Sequence, residues 1–484
     1  MTKAAPEYDQ DELNRILKLQ KQAFWNDGFP SLEVRSDRLK RLLAMIVKYE
    51  QAICEAITLD YGNRSREVTR MTDVLASIDA VKQALTHLPA WMEPETQPAL
   101  YPANEAGATA EIRYQPKGVV GIVGPWNFPV HLVLGPLASV LAAGNRAIIK
   151  PSEITANTAA LLEDILTETF DETEIAVVQG GVETSKLFIE LPFDHLMFTG
   201  STAVGKILMK AAAENLVPVT LELGGKSPVI VGKDADLKKT AHRLAAGKLF
   251  NSGQICVCPD YAFIPQESFD SFIAEFKSAV AAIYPNVENN PDYASIVNDH
   301  HFDRLQNLVT DAEASGAEII EINPARESFD QVRTRKMLPK LIINAGDDSA
   351  VMNDEIFGPL FPIRTYSAFE EIIDYLGSHP RPLALYYFGE DESERKTLVN
   401  NVISGGMTIN DVITHVINYD LPLGGIGASG MGGYRGVRGF REFSHAKSIY
   451  TQTNVEEIAA FMRPPYSEEM KGLLDQLISV DHIN

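Results

Sequence analysis

Hydrophobic and polar residues follow two different patterns along this chain. Between residues 11 and 59, apolar side chains recur every three to four positions, as at Leu39, Leu42 and Ile46, which predicts amphipathic helices. From residue 110 to residue 217, short apolar runs (GVVGIVG, AIIK, EIAVVQG and HLMFTGS) are separated by helical patterns. This alternation of strands and helices predicts right-handed βαβ units and a Rossmann-like parallel sheet.

A second alternating region begins at Lys226. Its strand-like runs are PVIV, YAFIPQ, EIIEI, MLPKLIIN, PLFPIRTY and LALYYFG. Two α/β domains in series are therefore expected. The stretch 91–107, rich in Pro, Ala and Glu, predicts an excursion or arm, and residues 467–478 predict a surface helix.

The longest stretch without a charged residue contains 28 residues, between Lys117 and Arg146. Its length alone would allow a membrane span, but prolines and glycines interrupt it. The better interpretation is a buried strand over 118–123, a buried helix over 130–143 and another strand over 146–150. Continuous apolar strands of this kind are typical of a parallel sheet that is covered on both faces.

Composition narrows the functional class. The 484 residues include 43 Lys and Arg against 65 Asp and Glu, a formal net charge of −22. That balance argues against nucleic acid and anionic membrane as partners, because both bind basic surfaces. The three cysteines, Cys54, Cys256 and Cys258, are too few for a disulfide framework or a four-cysteine zinc site, and no metal is expected. Residues 1–15 lack the apolar segment of a secretion signal, so a reducing, cytoplasmic setting is expected.

Two glycine motifs are candidates for nucleotide binding. Gly425, Gly427 and Gly430 match Gly-x-Gly-x-x-Gly, but more glycines follow and no helix is expected to begin there, so a loop is the better interpretation. The segment 200–206 (GSTAVGK) matches a phosphate loop, except that Ile207 stands where Ser or Thr would hold Mg²⁺. Either a phosphate-binding turn or a plain serine-capped turn fits this strand-to-helix position. A nucleotide phosphotransferase is accordingly one functional hypothesis.

Cys256 is the strongest candidate nucleophile. It lies in FNSGQICVCP, where a glycine turn could lower the pKa of the thiol and expose it; the alternative is a small buried hydrophobe. Glu222, flanked by leucines, is expected to be desolvated, and a raised pKa would suit a general base; a buried, ion-paired Glu is the alternative. The Asn127 amide, held between two prolines, is either an oxyanion donor or a turn residue. A thiol acyl hydrolase using Cys256 is therefore another hypothesis.

Lys150 and Glu153 follow the predicted strand 146–150. This is where open α/β sheets bind ligands, and a carboxylate there can accept hydrogen bonds from ribose hydroxyls. A solvated turn capped by Ser152 is the alternative.

Six motifs occur together and in order: PWNFP, KPSE, FTGST, LELGGK, GQxC and EIFGP. In this combination the chain resembles the NAD(P)-dependent aldehyde dehydrogenase superfamily, from about residue 39 to the C-terminus. The CVCPDY segment, the HVIN-x-x-LPLGG stretch and the FSH tripeptide at 443–445 are most similar to the class 3 or fatty-aldehyde branch, and within it to the coniferyl aldehyde dehydrogenases. That branch often carries a hydrophobic C-terminal anchor, which this sequence lacks, so no membrane attachment is expected.

The resemblance implies oxidation of a hydrophobic aldehyde, aromatic or medium-chain, to the carboxylic acid. Cys256 would form a thiohemiacetal and then a thioester, Asn127 and the Cys256 backbone N–H would hold the oxyanion, and Glu222 would activate water. The cofactor-binding residues implied by the matching motifs are Trp126, Lys150, Glu153, Gly200, Ser201, Leu223, Glu355 and Phe357. Because the Glu153 carboxylate would repel a 2′-phosphate, NAD is expected to be preferred, with NADP possible.

The resemblance further implies the organisation of the chain. Residues 1–97 and 115–224 would form the NAD-binding domain and residues 225–411 the catalytic domain. Residues 98–114 and 412–484 would form a small β oligomerisation arm and the C-terminal tail, and a homodimer is expected.

Three features depart from the family pattern. The segment after Gly430 carries Gly432, Gly433 and Arg435, and no role is assigned to it. Leu423 stands where Phe is common, so the pocket wall would differ there. Cys258 stands where Ala is frequent; it is interpreted as a packing residue, with a redox partner for Cys256 as the alternative.

Overall fold

The computed structural model of the chain describes residues 7–478, which fold around three β-sheets. The strands are β1 (Glu95–Gln97), β2 (Thr109–Pro116), β3 (Val119–Val123), β4 (Arg146–Lys150), β5 (Ile175–Val177), β6 (His195–Gly200), β7 (Val219–Leu223), β8 (Ser227–Val231), β9 (Pro259–Pro265), β10 (Glu318–Glu321), β11 (Lys340–Ile343), β12 (Leu360–Tyr366), β13 (Ala384–Phe388), β14 (Gly406–Ile409), β15 (Gly430–Met431) and β16 (Ser444–Thr451).

The helices cover the sheets and connect their strands. They are α1 (Gln10–Asp27), α2 (Leu32–Lys48), α3 (Glu50–Tyr61), α4 (Arg66–Thr69), α5 (Ala76–Met92), α6 (His131–Ala142), α7 (Ala156–Thr169), α8 (Val182–Ile189), α9 (Thr202–Glu214), α10 (Leu237–Leu249), α11 (Phe269–Ile283), α12 (Asp299–Ala314), α13 (Gln331–Thr334), α14 (Ala350–Asn353), α15 (Phe369–Ser378), α16 (Glu392–Asn401), α17 (Gly436–Glu442), α18 (Glu456–Ala459) and α19 (Glu468–Leu477). A π-helical segment spans Arg70–Leu75, and 3₁₀ segments span Glu153–Thr155, Phe250–Gly253, Gln266–Ser268 and Thr414–Val416.

The first sheet has the strand order β15-β7-β6-β3-β4-β5. Neighbouring strands in this sheet run parallel, except that β15 is antiparallel to β7. Strand β4 is buried throughout and β3 at all but its last residue, which explains the unbroken apolar sequence of β3 and the apolar residues 147–149 of β4, between Arg146 and Lys150. Helix α6 is buried along its whole length and contains Pro136. The charge-free stretch therefore forms strand, buried helix and strand, as predicted, and the α/β fold is confirmed.

The second sheet has the strand order β10-β11-β12-β9-β8-β13-β14 and is parallel, except that β10 is antiparallel to β11. Each of the six strand-like runs predicted after Lys226 forms a strand of this sheet. Strand β14 was not predicted; it is four residues long and only partly buried, so its hydrophobic pattern is weak. Helices α10 and α11 pack on this sheet through side chains such as Leu244 and Phe276.

The third sheet, β1-β2-β16, joins the predicted arm to the C-terminal region. Strand β2 pairs antiparallel with β16 along its full length, from Thr109 opposite Thr451 to Pro116 opposite Ser444. A small β arm is what the family resemblance implies here, but the hydrophobic pattern does not mark the strands themselves, because β16 is largely exposed and shows no apolar alternation. The predicted surface helix over 467–478 is present as α19.

The carboxyl ends of β3, β4, β6 and β7 meet at one edge of the first sheet, where open α/β sheets bind ligands. Strand β15 extends the sheet beside β7, with Gly430 opposite Glu222. Within residues 7–478 no helix is long and apolar enough to cross a membrane, and no three His, Cys, Asp or Glu side chains are grouped to hold a metal ion. The domain boundaries given above remain a prediction.

Candidate active site

Cys256 lies on the tight turn that leads into β9. Asn251 (φ 50°) and Gly253 (φ 78°) adopt left-handed backbone angles, which are rare for residues other than glycine and persist only where other contacts enforce them. Gln254 supplies those contacts, because its Nε2 donates to the carbonyls of Asn251 (3.0 Å) and Ser295 (3.1 Å). The turn holds Cys256 partly buried, with a free thiol.

The pKa of the Cys256 thiol is raised to about 12. Burial is the main cause, and the negative charges of Glu222 and Glu355 add to it, while the backbone N–H groups of the turn oppose it. The expectation that the turn lowers this pKa is therefore wrong, since burial and two carboxyl groups outweigh it. The thiol stays protonated at neutral pH unless a positive charge is brought beside it.

Glu222 projects from β7 and is almost completely buried. Burial raises the pKa of its carboxyl to about 8, and the positive charge of Arg435 limits the rise. Its Oε1 has no hydrogen-bond partner among residues 7–478. The predicted desolvation is confirmed, and the alternative of an ion-paired glutamate is not, because Glu222 takes part in no salt bridge within the described residues. A carboxyl with a pKa near neutrality is suited to proton transfer.

Asn127 lies in the turn after β3 and is buried. Its side-chain Nδ2 donates to the carbonyl oxygen of Gln254 at 3.3 Å, two residues before Cys256. The hydroxyl of Tyr61 donates to the backbone carbonyl of Asn127 at 3.2 Å. The amide therefore lies beside the Cys256 turn, at a place where it can donate to an oxygen attached to the carbon that Cys256 attacks.

Four of the predicted cofactor residues line the carboxyl edge of the first sheet. Lys150 is the last residue of β4. Its buried Nζ donates to the Pro151 carbonyl at 2.9 Å and lies 3.8 Å from a carboxylate oxygen of Glu153. Gly200 ends β6, and Ser201 caps α9 by accepting from an N–H of its first turn. A Cβ at Gly200 would lie 2.5 Å from the ring of Phe198, so the close turn requires glycine.

Leu223 is the last residue of β7, and its side chain packs against helix α9. A Cβ at Gly205 in that helix would lie 2.7 Å from the Leu223 side chain, so the helix N-terminus is held close to the sheet. The turn over 200–206 thus has the strand-to-helix geometry that the sequence predicts, with free N–H groups at the start of a 13-residue helix.

Glu355 and Phe357 approach the same place from the second sheet. Arg304 donates to the carbonyl of Glu355 at 3.2 Å, and the N–H of Ile356 donates to Asp260 Oδ2 at 2.9 Å, which fixes the loop. Burial raises the pKa of the Glu355 carboxyl to about 8, although the Gly225 N–H opposes the rise.

The site is formed by three loops that contact one another: the Cys256 turn, the loop that carries Glu355 and Phe357, and the turn that carries Trp126 and Asn127. A Cβ at Gly253 would lie 2.3 Å from the Gly358 carbonyl oxygen, so the Cys256 turn lies directly on the Glu355 loop. Phe357, at φ 52°, packs edge-on against Trp126 with ring centroids 5.1 Å apart. The structure thus brings Cys256, Glu222 and Asn127 together with Trp126, Glu355 and Phe357, and places Lys150, Glu153, Gly200 and Ser201 along the adjoining sheet edge.

These residues fit a dinucleotide. Glu355 Oε1 and Thr199 Oγ1 are buried and lack a hydrogen-bond partner within the described part of the chain, so both can accept or donate to a ligand. A Cβ at Gly224 would lie 2.1 Å from a Glu355 oxygen, so only glycine lets that carboxylate approach the chain there. Lys150 and the α9 N-terminus supply positive potential for the polar half of such a ligand.

Sequence reasoning missed the groups that support the site. Lys226 forms an ion pair with Asp260 and also donates to the carbonyl of Val351 at 2.8 Å, so it anchors the Glu355 loop. Arg435 was assigned nothing, yet its charge acts on Glu222. Lys226 stands within the LELGGK motif, and that motif was the only sequence feature that could have identified it as a site residue. Arg435 lies in a glycine-rich stretch that contains no recognisable motif.

The literal Gly-x-Gly-x-x-Gly match is a turn, as predicted. Gly427 forms an isolated bridge with Gly430, and a Cβ at Gly425 would lie 1.9 Å from the Ser429 carbonyl oxygen. No helix begins within this match; the next one, α17, starts at Gly436.

Cys258 points into the core of the second sheet. It is buried, and its Sγ contacts the carbonyl oxygens of Lys248 (3.7 Å) and Pro259 (3.5 Å). Burial raises the pKa of its thiol to about 11, so the group is not a ready thiolate. This environment favours the packing interpretation.

Comparisons with known proteins agree with one another. The model of the aldehyde dehydrogenase family matches residues 2–449. A coniferyl aldehyde dehydrogenase from a Pseudomonas species is 50% identical over 471 residues, 97% of either chain. The rat aldehyde dehydrogenase described as dimeric and NADP-preferring is 36% identical over 94% of this chain and 98% of its own. The structure of Staphylococcus aureus AldH in a substrate-bound state superposes with a TM-score of 0.90 at 37% identity, covering 96% of this chain and 99% of that one.

Proposed function

The chain belongs to the aldehyde dehydrogenase family, whose members oxidise aldehydes with NAD(P), and we propose that Cys256, Glu222 and Asn127 perform this chemistry here. The observation that carries the proposal is the meeting of a partly buried thiol, a buried carboxyl of pKa about 8 and a buried amide donor at one point between the two sheets. The comparisons give no support to a phosphotransferase or a non-redox thiol hydrolase.

In the first step the Cys256 thiol gives up its proton to water, and the sulfur bonds to the aldehyde carbon to give the anion of a thiohemiacetal. The carbonyl electrons move to oxygen, where the Asn127 Nδ2–H and the Cys256 backbone N–H donate to the oxyanion. When bound, NAD(P) supplies a hydride acceptor and the positive charge of an oxidised nicotinamide. Loss of hydride from the thiohemiacetal carbon leaves a thioester on Cys256.

Glu222 then takes a proton from water, and the hydroxide formed attacks the thioester carbon. The second tetrahedral oxyanion is held by the same donors and collapses with release of the Cys256 sulfur and the carboxylic acid. Below a pH of about 8 most Glu222 carboxyls are protonated and cannot accept this proton, so hydrolysis of the thioester should slow as the pH falls.

Trp126, Lys150, Glu153, Gly200, Ser201, Leu223, Glu355 and Phe357 are proposed to hold the cofactor. NAD is the proposed preference, because Glu153 lies 3.8 Å from Lys150 and places a carboxylate at the edge where the adenosine ribose would lie. A 2′-phosphate would meet this negative charge. The ratio of kcat/KM for NAD to that for NADP should fall in Glu153→Gln, and an unchanged ratio would contradict the assignment.

The proposed substrate is a hydrophobic aldehyde, aromatic of the coniferyl type or medium-chain aliphatic. Support comes from two relatives described as coniferyl or probable coniferyl aldehyde dehydrogenases, at 50% and 49% identity. NADH formation with coniferyl aldehyde, benzaldehyde and hexanal, compared with the small hydrophilic aldehyde glyceraldehyde, tests this. Among the three hydrophobic aldehydes, coniferyl aldehyde should give the highest kcat/KM. Turnover restricted to small hydrophilic aldehydes would overturn the proposed substrate class.

We also propose a homodimer in the cytoplasm, with the domain division given above. Strand β16 lies at the edge of its sheet and is largely exposed, and an unpaired strand edge is a surface that a second copy can cover. Light scattering during size-exclusion chromatography should give twice the 53.3 kDa chain mass. The three free cysteines suit a reducing compartment.

A further inference from the structure

A fully buried ion pair lies behind Asn127, outside the groups assigned to the chemistry. Arg64 Nη2 is 2.8 Å from Asp73 Oδ2, and neither side chain has any exposed surface. Asp73 belongs to the π-helical segment Arg70–Leu75, and such segments are rare and frequent at functional sites.

Both partners also form hydrogen bonds to the turn that carries Asn127. Arg64 Nη1 donates to the backbone carbonyl of Asn127 at 2.7 Å. Asp73 Oδ1 accepts from the backbone N–H groups of Val130 (3.1 Å) and His131 (3.3 Å), at the start of α6. The pair therefore holds the chain on both sides of residues 128 and 129.

Stability alone gives a weak reason for this arrangement. Removing two charges from water is costly, and well-packed apolar residues often replace a buried ion pair without loss of stability. Burial raises the pKa of the Asp73 carboxyl, and Arg64 together with the N–H donors opposes that rise. What apolar residues would not provide is the fork of directed hydrogen bonds from one guanidinium to Asn127 and Asp73.

We propose that Arg64, supported by Asp73, is the positioning residue for the oxyanion-binding amide. It fixes the Asn127 carbonyl, and with it the backbone from which the Nδ2–H group reaches the Cys256 turn. The inference rests on the proposed role of Asn127 and deepens it, because Arg64 acts only through that residue. An amide misplaced by about 1 Å forfeits much of the stabilisation of the oxyanion.

The test is Arg64→Lys in two backgrounds. Lysine keeps a positive charge beside Asp73, but its ammonium cannot reproduce the fork. With Asn127 present, kcat for aldehyde oxidation should fall about 10- to 100-fold. In Asn127→Ala, the same change should alter kcat by less than about twofold, since nothing remains to be positioned.

Three further measurements separate positioning from general damage. Arg38→Lys is the matched control, because buried Arg38 forms an ion pair with the partly buried Glu174 (2.9 Å) away from the site, and its kcat should stay unchanged. Alkylation of Cys256 by iodoacetamide passes through no oxyanion, so Arg64→Lys should leave its rate unchanged. If Arg64→Lys fails to fold, Asp73→Asn is used instead; it keeps an acceptor for the α6 N–H groups and should give a smaller loss of kcat that also disappears in Asn127→Ala.

An equal loss of kcat in both backgrounds would overturn the inference, as would a matching loss in Arg38→Lys or a slowed alkylation. Absence of aldehyde oxidation in the unmodified enzyme would instead contradict the proposed function itself.

Discussion

The raised pKa of Glu222 makes the pH dependence of turnover the sharpest consequence of the site. With a pKa of about 8, about one tenth of this carboxyl is ionised at pH 7 and about nine tenths at pH 9. If hydrolysis of the thioester limits turnover, kcat should therefore rise about tenfold between these values. Steady-state NADH formation with saturating aldehyde and NAD measures this rise directly.

Glu222→Gln removes the titrating group without changing its size. Its kcat should fall by about 10²- to 10⁴-fold, and the alkaline rise should disappear, while one NADH per active site still forms rapidly before turnover stalls. Glu355→Gln is the matched control, because Glu355 has a similarly raised pKa of about 8 but no proposed role in proton transfer. If the rise of kcat with pH survives in Glu222→Gln, or disappears in Glu355→Gln, the assignment of Glu222 as the general base is refuted.

Three further predictions use the same geometry. Arg435→Met removes the charge that limits the Glu222 pKa, so the alkaline limb of kcat should move to higher pH, whereas Arg435→Lys should leave it near the original position. Glu222→Gln should also speed the alkylation of Cys256 by iodoacetamide at pH 8, because one of the charges that raise the thiol pKa is gone; a slower reaction would count against this. Gly253→Ala adds a Cβ 2.3 Å from the Gly358 carbonyl oxygen at a residue with φ +78°, so it should weaken NAD binding and lower the Tm together, and unchanged values of both would contradict the contact between the two loops.

Much of the fold follows from local sequence. Strand β3, the middle of β4 and helix α6 consist almost entirely of apolar residues and are buried, so their pattern alone identifies them. Strands β2 and β16 have no comparable hydrophobic pattern. They are stabilised by pairing with each other across more than 300 residues of chain, a contact that local patterning does not report.

The site divides in the same way. Cys256, Glu222 and Asn127 stand in motifs whose chemistry can be argued residue by residue, and the desolvation of Glu222 follows from its leucine neighbours. The pKa of Cys256 could not be predicted, since it depends first on burial of the thiol in the folded protein. It also depends on the carboxyls of Glu222 and Glu355, and Glu355 lies 99 positions away in sequence. Arg64 and Asp73 could not be found either, because their role is visible only in the hydrogen bonds they make to the Asn127 turn.

The most direct test of the account is to trap the acyl-enzyme. Glu222→Gln, mixed with coniferyl aldehyde and NAD and quenched in acid, is digested and examined by peptide mass spectrometry. The account predicts an acyl group, of the mass expected for the thioester, on the peptide that contains Cys256, and none when Cys256 is replaced by Ser. An adduct on Cys54 or Cys258, or NADH formation without any adduct on Cys256, would contradict it.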